Sequence, residues 1–290
     1  MTLSQFFDDF YRPLRLRGRS ANTARLYGCT IRAFGRWLGR EPVLEDLDEL
    51  LLARYLEHRA TIRSPFTSEK ERTQLTALAG LAWERRLLAV KPIVLPAPLP
   101  ERVPFAWSVE DMGRLIAAAE ALTASRDGVI LRDYFPALLM TLWETGERIG
   151  AIRDTLVEDY KRPYLVVRAE CRKGRRRDRV YPLSESTCDR LDVLASRESV
   201  TLFRWPFCSP YLWRYMKRLV AAAGLGNARR MRFHQVRRTA ASHLAAAGGD
   251  PVAFLDHSSP KMTKRWYLDP RVADRGARAC DILPKIAAPA

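Results

Sequence analysis

Lys91-Pro92-Ile93-Val94-Leu95-Pro96-Ala97-Pro98-Leu99-Pro100-Glu101-Arg102-Val103-Pro104 carries five prolines in fourteen residues. Each proline fixes φ and removes a backbone donor, so the stretch cannot be a regular helix and reads as an extended, semi-rigid connector. It divides the chain into an N-terminal domain of residues 1–90, a linker of residues 91–104 and a second domain of residues 105–290. A length of 290 residues, at about 150 per domain, also points to two domains.

Upstream of the linker the pattern is helical. Behind Ser20-Ala21-Asn22, the residues Tyr27, Ile31, Phe34 and Leu38 recur at helical spacing. Residues 49–59 predict a second helix with Leu51, Leu52, Tyr55 and Leu56 on its apolar side. A third is expected from Ser68, with Glu71 completing a capping box, to about Ala89. Downstream, Ser108-Val109-Glu110-Asp111 caps a helix expected to reach about Ser125, and another spans about Tyr134 to Trp143. Leu165-Val166-Val167 and Arg179-Val180-Tyr181 read as two strands joined through the turn Arg172-Lys173-Gly174-Arg175. The rest is helical: Ser209-Pro210 and Ser259-Pro260 each pair an N-cap with a first-turn proline, and Gly224 ends the helix after Ser209. The expected fold class is mainly α with a small β-sheet, without internal repeats: a helical N-terminal domain plus an α+β domain.

Lys and Arg total 49 against 33 Asp and Glu, a net charge of +16. With 47% hydrophobic residues the chain has the composition of a globular protein. No apolar run approaches the roughly 18 residues that span a bilayer, and Asp8 and Asp9 stand where a signal peptide would carry positive charge. Secreted and membrane-spanning classes are therefore not expected. The five cysteines, Cys29, Cys171, Cys188, Cys208 and Cys280, form no CxxC pair. With only four histidines, a zinc site is not expected, and the thiols read as reduced and cytosolic. A pI near 10.1 implies a polyanionic partner, most commonly nucleic acid. Between Glu198 and Asp250 there is no carboxylate but nine Lys or Arg, a like-sign field that is stabilised when it faces an anion. A solvated basic surface is the bland alternative.

Three of the four histidines, His234, His243 and His257, fall within 24 residues. Phe233-His234-Gln235-Val236-Arg237-Arg238 opens a helix on which His234, Arg237, Arg238 and Ala241 share one face. An imidazole and a guanidinium side by side at a helix start suit one phosphate: arginine keeps its charge and offers a bidentate fork, and the helix terminus adds partial positive charge. His243 lies about half a turn round and reads as a packing or surface histidine. HxxR alone is a weak motif.

The ordered series is stronger. Thr145-Gly146-Glu147-Arg148, Arg172-Lys173-Gly174, His234-Gln235-Val236-Arg237 and Leu255-Asp256-His257-Ser258-Ser259, closing on Trp266-Tyr267, resembles the tyrosine recombinase (phage integrase) family over the whole chain. The resemblance implies a helical core-binding (SAM-like) domain in residues 1–90 and an integrase-like catalytic domain in residues 105–290. It implies that Arg148 and Arg237 grip the scissile phosphate and stabilise transition-state charge. His234 and His257 would add hydrogen bonds, His234 also moving the tyrosine proton. Lys173 would protonate the departing 5′ oxygen, and Tyr267 would be the nucleophile forming a 3′-phosphotyrosyl link. That link conserves the phosphodiester's energy, so no cofactor, metal or ATP is expected. The carboxylate-free stretch agrees, since two-metal enzymes hold Mg²⁺ with clustered acids. Candidate DNA contacts are Arg172, Arg175, Arg176, Arg177, Arg179, Arg229, Arg230, Arg232 and Arg238.

The sequence departs from the family's pattern in three places. The family commonly carries an acid three positions after the first arginine, where this chain has Ala151. Glycine often precedes the histidine of the last box, where this chain has Asp256. The nucleophile lies nine or ten positions past that histidine; position nine is Trp266, so Tyr267 is chosen. The expected partners are duplex DNA, gripped by both domains, and further copies of the chain, four protomers on paired sites exchanging strands through a Holliday junction. An accessory DNA-bending or directionality protein is a further possible partner, and no membrane is expected. The expected location is the cytoplasm, in association with the nucleoid. About 20 residues precede the first helical pattern, which suggests a two-domain recombinase without an arm-binding domain. The tail segment Ala279-Cys280-Asp281-Ile282-Leu283 would dock on a neighbouring protomer or pack on its own. The rivals are a type IB topoisomerase-like enzyme, which shares the chemistry, and a catalytically inactive DNA-binding relative. An RNA-binding module lacks support, because the aromatic strand patterns of RNA-recognition folds are missing.

Overall fold

A computed structural model describes residues 1–174, 177–226 and 232–274. The chain forms two compact units, Met1–Pro100 and the chain from Glu101 on.

The first unit begins earlier than the periodicity of residues 20–38 suggests. Thr2 and Gln5 form a reciprocal capping box that starts α1 (Leu3–Phe6), followed by a π-helical segment (Phe7–Tyr11) and α2 (Arg12–Arg15). Leu3, Phe6, Phe7 and Tyr11 are buried, a helical spacing that makes this segment part of the core rather than a tail. Helix α3 (Ala21–Leu38) stops at Gly39, whose φ is +74°. Helix α4 (Glu49–Ile62) is capped by Asp48, which accepts from Leu50 and Leu51 amides.

Helix α5 (Pro65–Glu84) starts about one turn before the expected Ser68. Ser64 is its N-cap and Pro65 its first residue. Ser68 and Glu71 are therefore inside the helix and serve packing. Ser68 Oγ donates to the Leu56 carbonyl at 2.9 Å, and buried Glu71 accepts from Tyr55 and Arg59 at 2.7 Å each. Phe34, Leu52, Tyr55, Leu75 and Leu78 fill the core between these helices. The start of the proline-rich stretch lies against this unit: the Ile93 amide donates to Glu49 and the Val94 carbonyl accepts from Arg72.

In the second unit, Ser108 and Asp111 cap α6 (Val109–Glu120) as the sequence suggests. The helix ends before Ser125 because β1 (Ser125–Arg126) pairs with β2 (Val129–Ile130) through Asp127-Gly128, both at positive φ. Helix α7 (Leu131–Thr145) runs through the middle of the core with Phe135, Leu138, Leu139 and Leu142 buried, and leads into α8 (Ile149–Arg153). The sheet has three strands rather than two: β3 (Tyr160–Lys161), β4 (Tyr164–Val167) and β5 (Arg179–Pro182), all antiparallel, with Leu165 opposite Tyr181. Helices α9 (Glu185–Ala195) and α10 (Ser209–Ala222) follow; Cys208, not Ser209, is the N-cap of α10. Then come α11 (Phe233–Ala246), α12 (Pro251–Leu255), α13 (Pro260–Trp266), which Ser259 caps, and α14 (Pro270–Ala273). Ala241, Leu255 and Tyr267 form a small separate cluster that joins α11, α12 and the end of α13. Among the described residues, no helix is long and apolar enough to cross a membrane.

Candidate active site

The end of α7 fixes the first corner. Gly146 ends the helix at φ +60°, and a Cβ there would collide with the Phe254 ring, so both backbone and space demand glycine. The turn carries Glu147 inward and places Arg148 at the N-cap of α8. Glu147 is 2% exposed and accepts from Arg172 Nε and Tyr181 Oη, each at 2.6 Å. Burial alone would raise its carboxyl pKa; the hydrogen bond from Tyr181 and the charge of Arg172 hold it below the usual range.

Helix α11 supplies the second corner. Arg237 is 1% exposed. One terminal nitrogen donates to the Gly146 carbonyl. The other donates to the Leu255 carbonyl at 2.7 Å and meets His257 Nε2 at 3.3 Å. This single guanidinium thus ties the ends of α7 and α12 to α11. Burial, then the charge of Arg148, lowers its pKa to about 10. The shift reflects the loss of hydration first and the neighbouring positive charge second.

The third corner is α13. His257 Nδ1 lies 2.8 Å from Thr263 Oγ1. With Nε2 accepting from Arg237, Nδ1 is the protonated nitrogen and donates to Thr263. Tyr267 follows the last turn of α13, its amide donating to Thr263 at 2.9 Å. Its ring is 9% exposed and sits edge-on to His257 and His234, with ring centres 4.4 and 5.2 Å away. The guanidiniums of Arg237 and Arg238 lie 5.7 and 5.8 Å from the ring centre. Burial and then Arg238, Arg237, Arg148 and His257 push the His234 pKa down to about 3. Burial, Arg237 and Arg148 push that of His257 to about 4. Both imidazoles are therefore neutral at ordinary pH, and both lie against the phenol ring together with the guanidiniums of Arg237 and Arg238. The set can bind an oxyanion, move a proton from the phenol and stabilise added negative charge.

The sequence profile of the phage integrase family matches residues 109–273. The chain belongs to the phage integrase family. Members of this family, the tyrosine recombinases, are DNA strand-transferring enzymes. The integrase-family chain is 26% identical to tyrosine recombinase XerC 2 of Ralstonia nicotianae over 291 aligned positions, covering 91% of this chain and 81% of that protein. Its fold is similar to that of a lambda integrase tetramer bound to a Holliday junction (TM-score 0.71, 21% identity, covering 99% of this chain and 80% of that one). It is also similar to that of the Tn1549 transposon integrase in complex with a circular intermediate DNA (TM-score 0.71, 13% identity, covering 92% and 95%).

In this integrase-family chain, His234, Arg237, His257 and Tyr267 converge, and the charge of Arg148 is felt by both histidines and by Arg237. Lys173 is exposed and follows Arg172. Arg172 is placed differently from the DNA contact expected of it. It is 7% exposed, and its donors go to Glu147, to the Arg177 carbonyl at 3.1 Å and to Asp256 at 2.9 Å. Arg177 is exposed and pairs with Asp256 at 2.7 Å. Arg179 donates to the Phe254 carbonyl and lies over the Tyr181 ring. Arg232 is exposed at the N-cap of α11. Arg175, Arg176, Arg229, Arg230 and the segment Ala279–Leu283 lie outside the described residues. His243 donates to the Trp107 carbonyl at 2.9 Å and packs 5.7 Å from Trp143, consistent with a packing residue.

Sequence reasoning missed Glu147, Thr263 and the part played by Asp256. Glu147 stood inside a quoted motif without a role, and Thr263 stands six positions after His257 on a helix whose start was recognised. Asp256 takes φ +50°, the left-handed conformation glycine adopts readily, and adds a carboxylate that glycine would lack.

Proposed function

We propose that this chain is a site-specific DNA recombinase that cuts and rejoins duplex DNA with Tyr267 as nucleophile. The observation that carries the reading is the buried Tyr267 ring in contact with two neutral imidazoles and close to two guanidiniums. Tyr267 Oη attacks the scissile phosphorus while His234 takes the phenolic proton. Arg148 and Arg237 stabilise the non-bridging oxygens as charge builds, and His257, whose Nε2 accepts from Arg237, holds that guanidinium in place. The bond to the 5′ oxygen breaks, and that oxygen takes its electron pair and a proton from the Lys173 ammonium. The product is a 3′-phosphotyrosyl link and a free 5′ hydroxyl; attack by another 5′ hydroxyl reverses the chemistry and joins new strands, with neither metal nor ATP. His234 is unprotonated in the DNA-free site, as a proton acceptor must be, and a phosphate that balances the surrounding cations would restore the basicity that burial and their charge remove.

Residues 1–90 serve as a core-binding domain and residues 105–290 as the catalytic domain, both engaging duplex DNA. The related lambda integrase structure, a tetramer on a Holliday junction, supports four protomers on two paired sites. A cytoplasmic, nucleoid-associated location goes with that substrate.

Metal-free covalent trapping tests the reading. The protein is incubated with fragmented genomic DNA from its source, denatured, and the attached DNA sequenced. Adducts clustered at a few sites with the wild type, and none with Tyr267→Phe, are expected. Adducts scattered over all sequences would favour a topoisomerase, and adducts surviving in Tyr267→Phe would overturn the nucleophile.

A further inference from the structure

Lys173 is exposed, yet the residue before it is almost fully buried, and Gly174 after it takes φ +96°. A general acid must be held within hydrogen-bond reach of its oxygen, and a four-carbon ammonium chain next to a glycine has little intrinsic order. Asp256 supplies an external restraint. One carboxylate oxygen accepts from Arg172 Nη2 at 2.9 Å and the other from Arg177 Nη2 at 2.7 Å, so a single side chain holds a residue on each side of Lys173. The Arg172 fork is completed by Glu147 and by the Arg177 carbonyl, and Arg179 is tied to the Phe254 carbonyl two residues before Asp256. Asp256 is also bonded through the backbone to His257, which touches Arg237 and Tyr267.

We propose that Asp256 is a positioning residue that latches the Lys173 segment to the catalytic histidine, so that the acid and the nucleophile are delivered to one phosphate in register. This rests on the reading of Lys173 as the general acid. Both Asp256 contacts lower its carboxyl pKa, Arg177 first, so the latch is charged at working pH. Removing it would loosen the segment without unfolding it, because Arg172 keeps Glu147 and the Arg177 carbonyl.

The test uses the full-length protein and an oligonucleotide duplex carrying the site recovered by covalent trapping, made with oxygen or with sulfur at the bridging 5′ position. A thiol has a pKa of about 8.5, far below that of an alcohol, so sulfur leaves without a protonating group. Asp256→Asn keeps a residue that tolerates the left-handed backbone, and Asp256→Gly removes that strain altogether. On the oxygen substrate Lys173→Ala is expected to cut cleavage by roughly 10² or more, and each Asp256 variant by about tenfold. On the sulfur substrate all three should return close to the wild-type rate, while Arg237→Ala stays slow on both. Asp256 variants slow on both substrates, or unaffected on oxygen, would overturn the latch while Lys173→Ala rescue leaves the acid standing. Failure of sulfur to rescue Lys173→Ala would instead overturn the acid assignment.

Discussion

Arg237 concentrates the site's physical logic in one side chain. Its donors go to two backbone carbonyls and one imidazole, so it fixes two helix ends and His257 relative to α11 while keeping its charge in a buried pocket. Loss of one preorganised donor to transition-state charge costs roughly 3 kcal/mol. Arg237→Ala should therefore slow covalent adduct formation by about 10² to 10³-fold in single-turnover assays. Arg237→Lys preserves the charge but not the fork, and should recover only a small part of that loss. A lysine variant as fast as wild type would mean that charge alone, not the bridging geometry, matters. His234 and Arg237 were legible in the sequence as a local pair three apart on one helix, whereas the proposed roles, and Tyr267 with them, came from the resemblance of the ordered motifs to the family. The ion pairs of Arg172 were not legible: Glu147 and Asp256 are 25 and 84 positions away, and no periodicity connects them.

At the scale of elements, punctuation residues decided what could be read. Ser108, Ser259 and Gly224 mark ends where the expected caps occur. Ser64-Pro65 is the same signal and Asp127-Gly128 a strong hairpin signal, yet both were overlooked beside the apolar patterns around them. The three-residue 3₁₀ turns (Leu44–Asp46, Val157–Asp159 and Ala169–Cys171) and the two-residue strands carry too little sequence to show a period at all. Gly146 tests the element that matters most. Gly146→Ala meets a left-handed backbone, costing about 1 kcal/mol or more, and collides with the Phe254 ring. Gly39→Ala, at φ +74° with nothing within 4 Å of its Cβ, meets only the backbone cost. Urea unfolding should show the Gly146 variant losing more stability than the Gly39 variant, with strand cleavage impaired only in the former. Equal losses would show that Phe254 moves aside freely.

The whole molecule is shaped by its net charge of +16. Phosphate neutralisation releases counterions, so log affinity for duplex DNA should fall steeply and linearly with log salt, by about 0.9 per phosphate contacted. A flat response in a filter-binding titration would contradict binding along the DNA backbone. Burial first, and the arginines of the pocket second, govern acid stability. His234 and His257 have folded pKa values of about 3 and about 4, against 6.5 for the free side chain. Between those limits the unfolded chain binds protons that the folded site refuses, so stability falls as pH drops below about 6.5, and is unaffected by these groups above it. The buried carboxylates act in a lower window, because Glu147 and Asp269 are held below their usual values and lose stability only as they are protonated. Thermal melts of the DNA-free protein at pH 7.5, 6.5 and 5.5 should therefore show a declining midpoint, and the decline should be shallower in His234→Asn and His257→Asn. Parallel declines in the variants would place the acid sensitivity elsewhere. A bound DNA phosphate supplies the anion this pocket favours and stabilises the protonated imidazoles, so addition of duplex DNA should flatten the wild-type profile over the same window.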